Sequence, residues 1–437
     1  MKKFTNKLVI GAVALTIGAA AVSCEDQPDK FELTKGTPTL RYVRPATEAS
    51  SDSLLDAAFL DQIVCLVGEN LTSIHDLYFN DQKATLNTSY ITANTMIVQV
   101  PGGIPETVTN KIYMCTLGGD TITYDFNVKV PAPSVRSISN EWARPGETVT
   151  INGDYFIDDP NVPIEVMFAG NVKVDRSMIK SIAKTAITFE VPADYAAGYM
   201  TVQGIYGSSR SAYQFHDTRT ILFDFDGSHG GMTGGHGWRN GMIHAPGDDA
   251  NIPELDGSYL WFGGADMSAD IGGTWAEDQF CLNYWPETGA GYPNLRDVNG
   301  LGDVLAENEI ADLQLKFEIC VPSSTPWSSS AMQWIFTPDA TVNYANAGNG
   351  YYGDTALPRG VWNPWQATGS YDTADSWQTV SIPLSNFNLT NEGGACGTAF
   401  DGTFFDGLTI FVWHGGVAGT DCAPTMGLDN IRIVPIE

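Results

Sequence analysis

Residues Pro145 to Phe156 read Pro-Gly-Glu-Thr-Val-Thr-Ile-Asn-Gly-Asp-Tyr-Phe. This stretch contains an apolar strand of period two, followed by a glycine, an acidic residue and an aromatic pair. Short strands of this kind recur along the chain between turns rich in glycine, asparagine and proline. This pattern favours an all-β protein, and 437 residues are enough for about three domains.

The stretch belongs to an internal repeat. Three pairs of segments match at separations of 85, 91 and 89 positions: Ile63–Leu71 with Thr148–Phe156, Met96–Pro101 with Ile187–Pro192, and Tyr124–Phe126 with Tyr213–Phe215. The nearly constant separation indicates one duplicated unit with loop insertions, and several short strands within about 90 residues are typical of a β-sandwich. Pro131–Pro133 lies between the units, where a stiff linker is expected.

The motif from Pro145 to Phe156 resembles the immunoglobulin-like IPT/TIG domains, and the resemblance covers residues 39–217. It implies two such domains, at residues 39–131 and 132–217. Neither unit contains a cluster of aromatic or catalytic side chains. We therefore expect both to be spacers, with a second binding site inside them as the alternative.

The second half of the chain is rich in tryptophan, since ten of the eleven tryptophans follow residue 216. The segment 218–437 opens with Thr220–Asp226 and closes with Leu428–Val434. These segments, with Ser376–Leu384, resemble the jelly-roll carbohydrate-binding modules, in which the first and last strands pair. The predicted fold is thus all-β: tandem immunoglobulin-like (IPT/TIG) β-sandwiches followed by a larger jelly-roll-like β-sandwich that binds glycan.

The N-terminus predicts export. Three lysines precede the apolar run Leu8–Val22, which is shorter than the roughly 20 residues that span a bilayer, so residues 1–23 are predicted to be a cleaved signal peptide. The run ends in Ala-Val-Ser before Cys24, which resembles a bacterial lipobox. The resemblance implies that Cys24 is acylated and that residues 24–38 form a lipidated tether. An ordinary signal peptide with an incidental cysteine is the alternative.

Glu25, Asp26 and Asp29 follow the cysteine and resemble the export signal of surface lipoproteins in glycan-harvesting Gram-negative bacteria. The order of lipobox, IPT-like repeats and tryptophan-rich domain resembles the surface glycan-binding proteins of starch-utilisation-like (Sus-like) loci. The resemblance implies a non-catalytic lipoprotein, anchored in the outer membrane and facing the exterior, that captures a neutral polysaccharide for uptake. It further implies a β-glucan-type ligand (xyloglucan, mixed-linkage or β-1,3-glucan) and a TonB-dependent transporter complex as a partner.

Charge narrows the choice of ligand. The net charge of −28 repels nucleic-acid phosphates, anionic lipid heads and acidic polysaccharides. A neutral glycan is therefore the expected ligand, and nucleic acid is not expected as a partner.

The cysteines leave two readings open. Cys65 and Cys115 fall in the first repeat, and four more fall in the C-terminal domain: Cys281, Cys320, Cys396 and Cys422. Even counts in an exported protein permit disulfides. Cys65 and Cys320 lie in apolar runs, where a buried free thiol is an equal alternative.

No cofactor and no metal are predicted. No Cys-x-x-Cys or His/Cys cluster has the spacing of a zinc site, and the glycine-rich segment His229–His236 fits a plain loop better than a metal site. Asp224, Asp226 and Asp429 could meet where the first and last strands pair, but Ca²⁺ takes six to eight oxygen ligands.

We also expect no catalytic residue. A glycosidase needs two carboxylates that flank one bond, and the sequence contains no motif that places such a pair, no nucleophile elbow and no His-Glu-x-x-His. An endo-acting glycanase or lyase on the same scaffold is the alternative function. A protein-binding adhesin is the third.

A flat aromatic ring stacks on the C–H face of a pyranose, while amide, carboxylate or guanidinium groups bind the hydroxyls around its rim. The glycine- and proline-rich stretch between Ala347 and Tyr371 has no apolar alternation that would bury its aromatic side chains, namely Tyr351, Tyr352, Trp362 and Trp365. The predicted platform is the pair Trp362 and Trp365, with Arg359, Asn363 and Gln366 at its rim.

Other tryptophans are weaker candidates. Trp285, with Tyr292, lies in a second glycine- and proline-rich loop. Trp334 shares a strand face with Met332 and Phe336, so it is a candidate for which a core position is the alternative. Trp413 shares a face with Thr409 and Phe411 and is undecided between core and site, whereas Trp377 is expected in the core.

Overall fold

The structure is a computed structural model, and it describes residues 31–47, 49, 52–236, 240–338 and 357–437. The predicted signal peptide and Cys24 lie outside the described residues. The regular secondary structure of the described residues is almost all β-strand, with one α-helix, α1 (Leu301–Glu307), and several short 3₁₀ helices, so the predicted all-β class is confirmed. None of its helices is long and apolar enough to cross a membrane. The chain divides into two compact units, Met1–Val130 and Pro131–Glu437.

The first unit is a sandwich of short strands. One sheet has the order β1-β3-β6, a second has the order β5-β4-β7-β8, and β2 pairs in parallel with β9. The strands are β1 (Thr39–Pro45), β2 (Ala57–Phe59), β3 (Ile63–Glu69), β4 (Ile74–Phe79), β5 (Gln82–Lys83), β6 (Thr95–Gln99), β7 (Lys111–Thr116), β8 (Thr121–Asp125) and β9 (Asn127–Lys129). Alternate residues such as Leu77, Phe79, Ile112 and Met114 are buried in a core of their own.

The second unit begins with another immunoglobulin-like sandwich. Its strands follow the order β13-β12-β16-β17-β10-β11-β15-β14, in which β10 and β17 pair in parallel. The strands are β10 (Ser134–Ile138), β11 (Thr148–Asp154), β12 (Glu165–Phe168), β13 (Val172–Lys173), β14 (Ile179–Ala183), β15 (Ala186–Glu190), β16 (Gly198–Gly204) and β17 (Gly207–Phe215).

The repeat has a structural cause. A Cβ at Gly68 would lie 2.0 Å from the carbonyl oxygen of Thr39, and a Cβ at Gly153 would lie 1.8 Å from that of Ser134. Both glycines oppose a β-bulge in the preceding strand. Two residues later, Asn70 and Tyr155 have positive φ values of 55° and 60°. The matched glycines are therefore required by a close backbone approach that both sandwiches share.

The C-terminal domain is a larger sandwich of two sheets. A six-stranded sheet has the order β19-β20-β27-β22-β25, with β18 also paired to β27, and a four-stranded sheet has the order β21-β26-β23-β24. The strands are β18 (Ile221–Phe223), β19 (Met242–His244), β20 (Tyr259–Phe262), β21 (Cys281–Tyr284), β22 (Leu313–Cys320), β23 (Met332–Thr337), β24 (Gly360–Trp362), β25 (Gln378–Pro383), β26 (Gly407–Val412) and β27 (Met426–Pro435). The first and last strands pair antiparallel, as predicted.

The outer face of the six-stranded sheet carries the second immunoglobulin-like domain. Strand alternation points Lys316 and Glu318 of β22 away from the hydrophobic core, and Arg432 of β27 shares this face. Glu141 inserts between them: its carboxylate lies 2.5 Å from Lys316 Nζ and 2.8 Å from an Arg432 nitrogen. Arg432 also pairs with Glu318 at 2.8 Å. All four side chains are buried, so this face is a closed interface.

The six cysteines among the described residues are free thiols. Cys65 and Cys320 are buried, and burial raises the pKa of the Cys320 thiol to about 12. The structure thus matches the free-thiol alternative for both residues.

Candidate functional site

The four-stranded sheet separates core side chains from outward-facing ones. Met332, Trp334 and Phe336 of β23 point into the sandwich and are buried there. Gln333 and Ile335 point to the opposite, outer face. The predicted alternation is therefore correct, but Trp334 has no exposed surface. It is a core residue, and its predicted role at the sugar surface is wrong in this structure.

The outer face carries an aromatic corner formed by Trp275, Phe411 and Trp413. The Phe411 and Trp413 rings are nearly parallel, 19° apart, with centroids separated by 5.7 Å. Trp275 stands almost perpendicular to both, at 81° and 77°, with centroid distances of 5.0 and 4.9 Å. Phe411 is buried, while Trp275 and Trp413 are half-buried. The corner therefore presents the indole of Trp413 as a floor and that of Trp275 as a wall.

Buried polar side chains hold this corner in place. Gln333 Nε2 donates a hydrogen bond of 2.6 Å to the carbonyl oxygen of Trp413. Arg359 donates one of 3.0 Å to Gln333 Oε1, so a chain of contacts fixes the backbone at Trp413. At the other side, Trp275 Nε1 donates to Glu277 Oε2 at 2.9 Å. These contacts fix the backbone at Trp413 and the indole of Trp275 in the absence of a ligand, and such preorganisation lowers the entropic cost of binding.

Arg359 was expected at an exposed rim, and this is wrong. Its side chain has no exposed surface, because β24 pairs with β23 and the guanidinium reaches Gln333 within the sheet. A buried arginine supports neighbouring groups through hydrogen bonds. Arg359 is thus a positioning residue for Trp413, not a rim group.

The structure places the two tryptophans of the predicted platform in different environments. Trp365 is only 4% exposed and its Nε1 donates to the carbonyl oxygen of Ser330 at 2.7 Å, so its predicted exposure is wrong. The residues Pro364–Ala367 form a 3₁₀ turn that directs this indole into the core. Asn363 is half-buried and Gln366 is exposed.

Trp362 remains accessible. It is half-buried and packs edge-on against Phe317 and Trp327. It also lines a cavity of about 340 Å³ between the edge strands β24 and β25. The side chains of Asn386 and Asn388, both exposed, line the same cavity. We call this cavity the edge groove. It combines one indole, on which a sugar ring can stack, with two amides that can bind the sugar's hydroxyls.

Trp285 is buried, with 4% of its surface exposed. His236 stacks on it at a centroid distance of 4.5 Å, and Tyr292 stacks on His236 at 3.6 Å and 3°. His236 Nδ1 also lies 3.0 Å from the carbonyl oxygen of Trp285. The predicted exposure of Trp285 is therefore wrong, because the histidine covers its face. Tyr351 and Tyr352 lie outside the described residues.

His229 and His236, which were considered as metal ligands, contact different partners. His229 lies 3.2 Å from Asp256, whereas His236 belongs to the stack on Trp285. The backbone amides of Gly227 and His229 donate to Asp224, which orders that turn. Within the described ranges, no three histidine, cysteine or acidic side chains come together as a metal site.

Trp275 was missed by the sequence reasoning. It lies outside any strand, in a segment of turns, so period-two alternation gives no indication of its direction. A weak signal was available: Trp275 and Glu277 are two residues apart in a polar, glycine-rich stretch, and aromatic residues in such stretches are often exposed.

The folds and the aromatic corner point to a class of carbohydrate-binding proteins, and comparison with known families agrees. Residues 215–435 match the surface glycan-binding protein B xyloglucan binding domain, and residues 133–216 match the IPT/TIG domain. The chain belongs to the surface glycan-binding protein B family, which confirms the predicted resemblance. Neither match indicates a catalytic family.

Two relatives illustrate this membership. The chain is 40% identical to the surface glycan-binding protein PbSGBP-B from Prevotella bryantii, over 93% of this chain and 100% of that chain, with a TM-score of 0.79. It is 24% identical over 237 residues to an IPT/TIG domain-containing protein of Bacteroides ovatus. This aligned segment covers 50% of this chain and 46% of the relative. The chain thus spans about half the length of the curated relative that it matches.

Proposed function

We propose that this protein captures a neutral β-glucan, most simply one of the xyloglucan type, at the cell surface without cleaving it. The aromatic corner of Trp275 and Trp413 is the platform. The observation that carries the proposal is the pair of half-buried indoles held at a right angle on the outer face of the four-stranded sheet.

The geometry suits a β-linked glucan. Each pyranose of such a chain offers a flat C–H face, which stacks on the Trp413 floor while the neighbouring edge meets the Trp275 wall. Stacking one sugar on one indole buries roughly 50–100 Å² of apolar surface, or about 1–3 kcal/mol at roughly 25 cal/mol per Å². Two indoles therefore suffice for a weak, reversible grip on a long polymer.

The ligand class follows from charge and family. The net charge of −28 disfavours acidic polysaccharides, and the matched family is described as xyloglucan-binding. Mixed-linkage and β-1,3-glucans have the same flat, uncharged faces and belong in the same test.

Trp362 is proposed as a second contact within the C-terminal domain. The edge groove places Asn386 and Asn388 beside its indole, so amides can bind hydroxyls while the ring stacks. Asn363 and Gln366, the next polar side chains along the chain, and Tyr351 and Tyr352 complete the set proposed from the sequence.

Surface anchoring is also part of the proposal. The lipobox-like sequence at Cys24 and the acidic residues after it support a lipid anchor in the outer membrane, with capture serving an associated TonB-dependent transporter. Cys24→Ala should release the protein from the membrane, while antibody should stain intact cells that carry the unaltered protein. Staining only after permeabilisation would contradict the surface location.

Affinity electrophoresis tests the binding function. We expect a xyloglucan-containing gel to retard the protein, a Trp275→Ala/Trp413→Ala variant to be retarded far less, and no reducing sugar to be released. Retardation by none of the neutral glucans would contradict the proposal. Sugar release would support the glycanase alternative, and binding to host or bacterial proteins without glycan binding would support the adhesin.

A further inference from the structure

The first immunoglobulin-like domain has an aromatic surface that the predicted spacer role does not use. Tyr78 of β4 and Tyr113 of β7 lie directly opposite each other in the antiparallel register. Their neighbours Leu77, Phe79 and Met114 fill the core, so strand alternation points both tyrosines outward. Both are half-buried, and directly paired residues have side chains in contact range.

The two rings line a hollow of about 320 Å³, which is within the size range of ligand sites, roughly 300–1,000 Å³. The other lining residues are mostly neutral and polar: Asn80, Asp81, Thr107, Thr109, Cys115 and Thr121. Phenol rings thus meet threonine side chains around one concave surface. Asn80 is buried beneath it, where its amide oxygen accepts hydrogen bonds from the backbone amides of Thr109 and Asn110.

The charged groups beside the hollow are already engaged. Asp81 accepts hydrogen bonds from the backbone amides of Glu106 and Thr107 at 2.9 and 2.8 Å, which fixes the loop that forms one wall. Lys83, whose Nζ lies 6.0 Å from the Tyr78 ring centroid, pairs with Asp76 at 2.6 Å. Asp81 is the charged residue of the lining, and the two backbone amides hold its carboxylate in place. The hollow therefore disfavours anionic ligands and presents tyrosine rings and threonine side chains to a neutral one.

We propose that this tyrosine hollow, defined by Tyr78 and Tyr113, is a second and weaker glycan-binding site that takes a segment of the same neutral β-glucan. The inference rests on the proposed function for the identity of the glycan. A tyrosine offers less stacking area than a tryptophan, so the site binds more weakly than the aromatic corner. Because both sites belong to one chain, a polymer that engages both gains avidity.

The test uses the full mature chain and xyloglucan oligosaccharide as the probe. In a Trp275→Ala/Trp362→Ala/Trp413→Ala background, which removes the aromatic corner and the indole of the edge groove, saturation-transfer NMR should still detect weak binding. Adding Tyr78→Leu and Tyr113→Leu should abolish it. Leucine keeps apolar packing on the sheet but removes the flat ring. Tyr90→Leu, an exposed tyrosine of the same domain, is the matched control and should retain the signal; thermal melts establish that each variant is folded.

A second measurement uses the polymer. With all three tryptophans present, Tyr78→Leu/Tyr113→Leu should weaken retention by xyloglucan about a hundredfold, the low end of what a second linked site contributes. No residual binding in the tryptophan variant, or residual binding that the tyrosine changes leave intact, would overturn the tyrosine site and leave the proposed function standing. If the tryptophan variant kept full affinity and the added tyrosine changes removed it, the result would support the tyrosine hollow and overturn the aromatic corner.

Discussion

The two sheets of the C-terminal sandwich use their outer faces in opposite ways. The six-stranded sheet places the charged side chains Lys316, Glu318 and Arg432 outward, and the second immunoglobulin-like domain covers them through Glu141. The four-stranded sheet places Thr409, Phe411 and Trp413 outward and presents the aromatic corner. Both faces belong to strands whose residues are almost all buried. Buried charge on one outer face thus accompanies a contact between domains, whereas half-buried indoles on the other lie where glycan binding is proposed.

The largest expected effect comes from breaking the covered face. Arg432→Ala removes a fully buried guanidinium and leaves Glu141 and Glu318 close together without their shared partner. We expect the free energy of unfolding to fall by about 3–5 kcal/mol. Chemical denaturation measures it. Arg41→Ala, which breaks an exposed pair with Glu69, is the control and should cost at most about 1 kcal/mol; equal losses would contradict the closed interface.

The next largest expected effect is the difference in destabilisation between replacing a core tryptophan and replacing a surface tryptophan. Trp365→Ala should lower the free energy of unfolding by about 3–5 kcal/mol, because it leaves a cavity and an unpaired Ser330 carbonyl. Trp275→Ala removes a half-buried ring and should destabilise far less. Thermal melts of the two variants compare them directly. A larger loss for Trp275 than for Trp365 would reverse the assignment of core and site.

The smallest effect concerns a buried acid beside the covered face. Burial raises the pKa of Asp429 well above its usual value, and the nearby charge of Asp256 raises it further. The pKa of Asp429 is thus higher in the folded protein than in the unfolded protein. The stability that its protonation contributes is fully present below the pKa of the unfolded state and is lost as the pH rises through the pKa of the folded state. Asp429→Asn removes this loss, so the variant should be more stable at pH 8 by on the order of 1 kcal/mol.

The pH profile supplies the check on this prediction. The stability difference between Asp429→Asn and the unaltered protein should shrink as pH falls toward the unfolded pKa of an aspartate, near 3.9. A difference that stays constant between pH 4 and pH 8 would show that Asp429 is not protonated on folding.

Patterns of period two were readable from the sequence, and side-chain direction outside strands was not. The repeat around Gly68 and Gly153 was detectable because a close backbone approach demands the same residue twice. The alternation in β23 and β26 was also correct. Trp365 was misjudged because a 3₁₀ turn directs its ring into the core. A glycine- and proline-rich sequence does not predict such a turn. Trp275 was missed because it lies outside any strand, where alternation gives no indication of side-chain direction.

Burial of polar residues was the second failure of sequence reasoning. Arg359 looked like a rim group because it lies beside Trp362 and Trp365 in the same glycine- and proline-rich stretch. Its partner Gln333 lies 26 positions earlier in the sequence, and only the pairing of β23 with β24 brings the two together. Long-range pairings of this kind decide which polar groups support a site and which contact a ligand.

The most direct test of the central claim is calorimetric titration of xyloglucan oligosaccharide into the mature protein and its single variants. Loss of one indole from the aromatic corner, in Trp275→Ala or Trp413→Ala, should weaken binding about ten- to hundredfold, which corresponds to about 1–3 kcal/mol, with little change in thermal stability. Trp362→Ala should weaken it less, since the edge groove is a second contact. Wild-type affinity in both corner variants, with binding lost in Trp362→Ala, would contradict the account and move the platform to the edge groove.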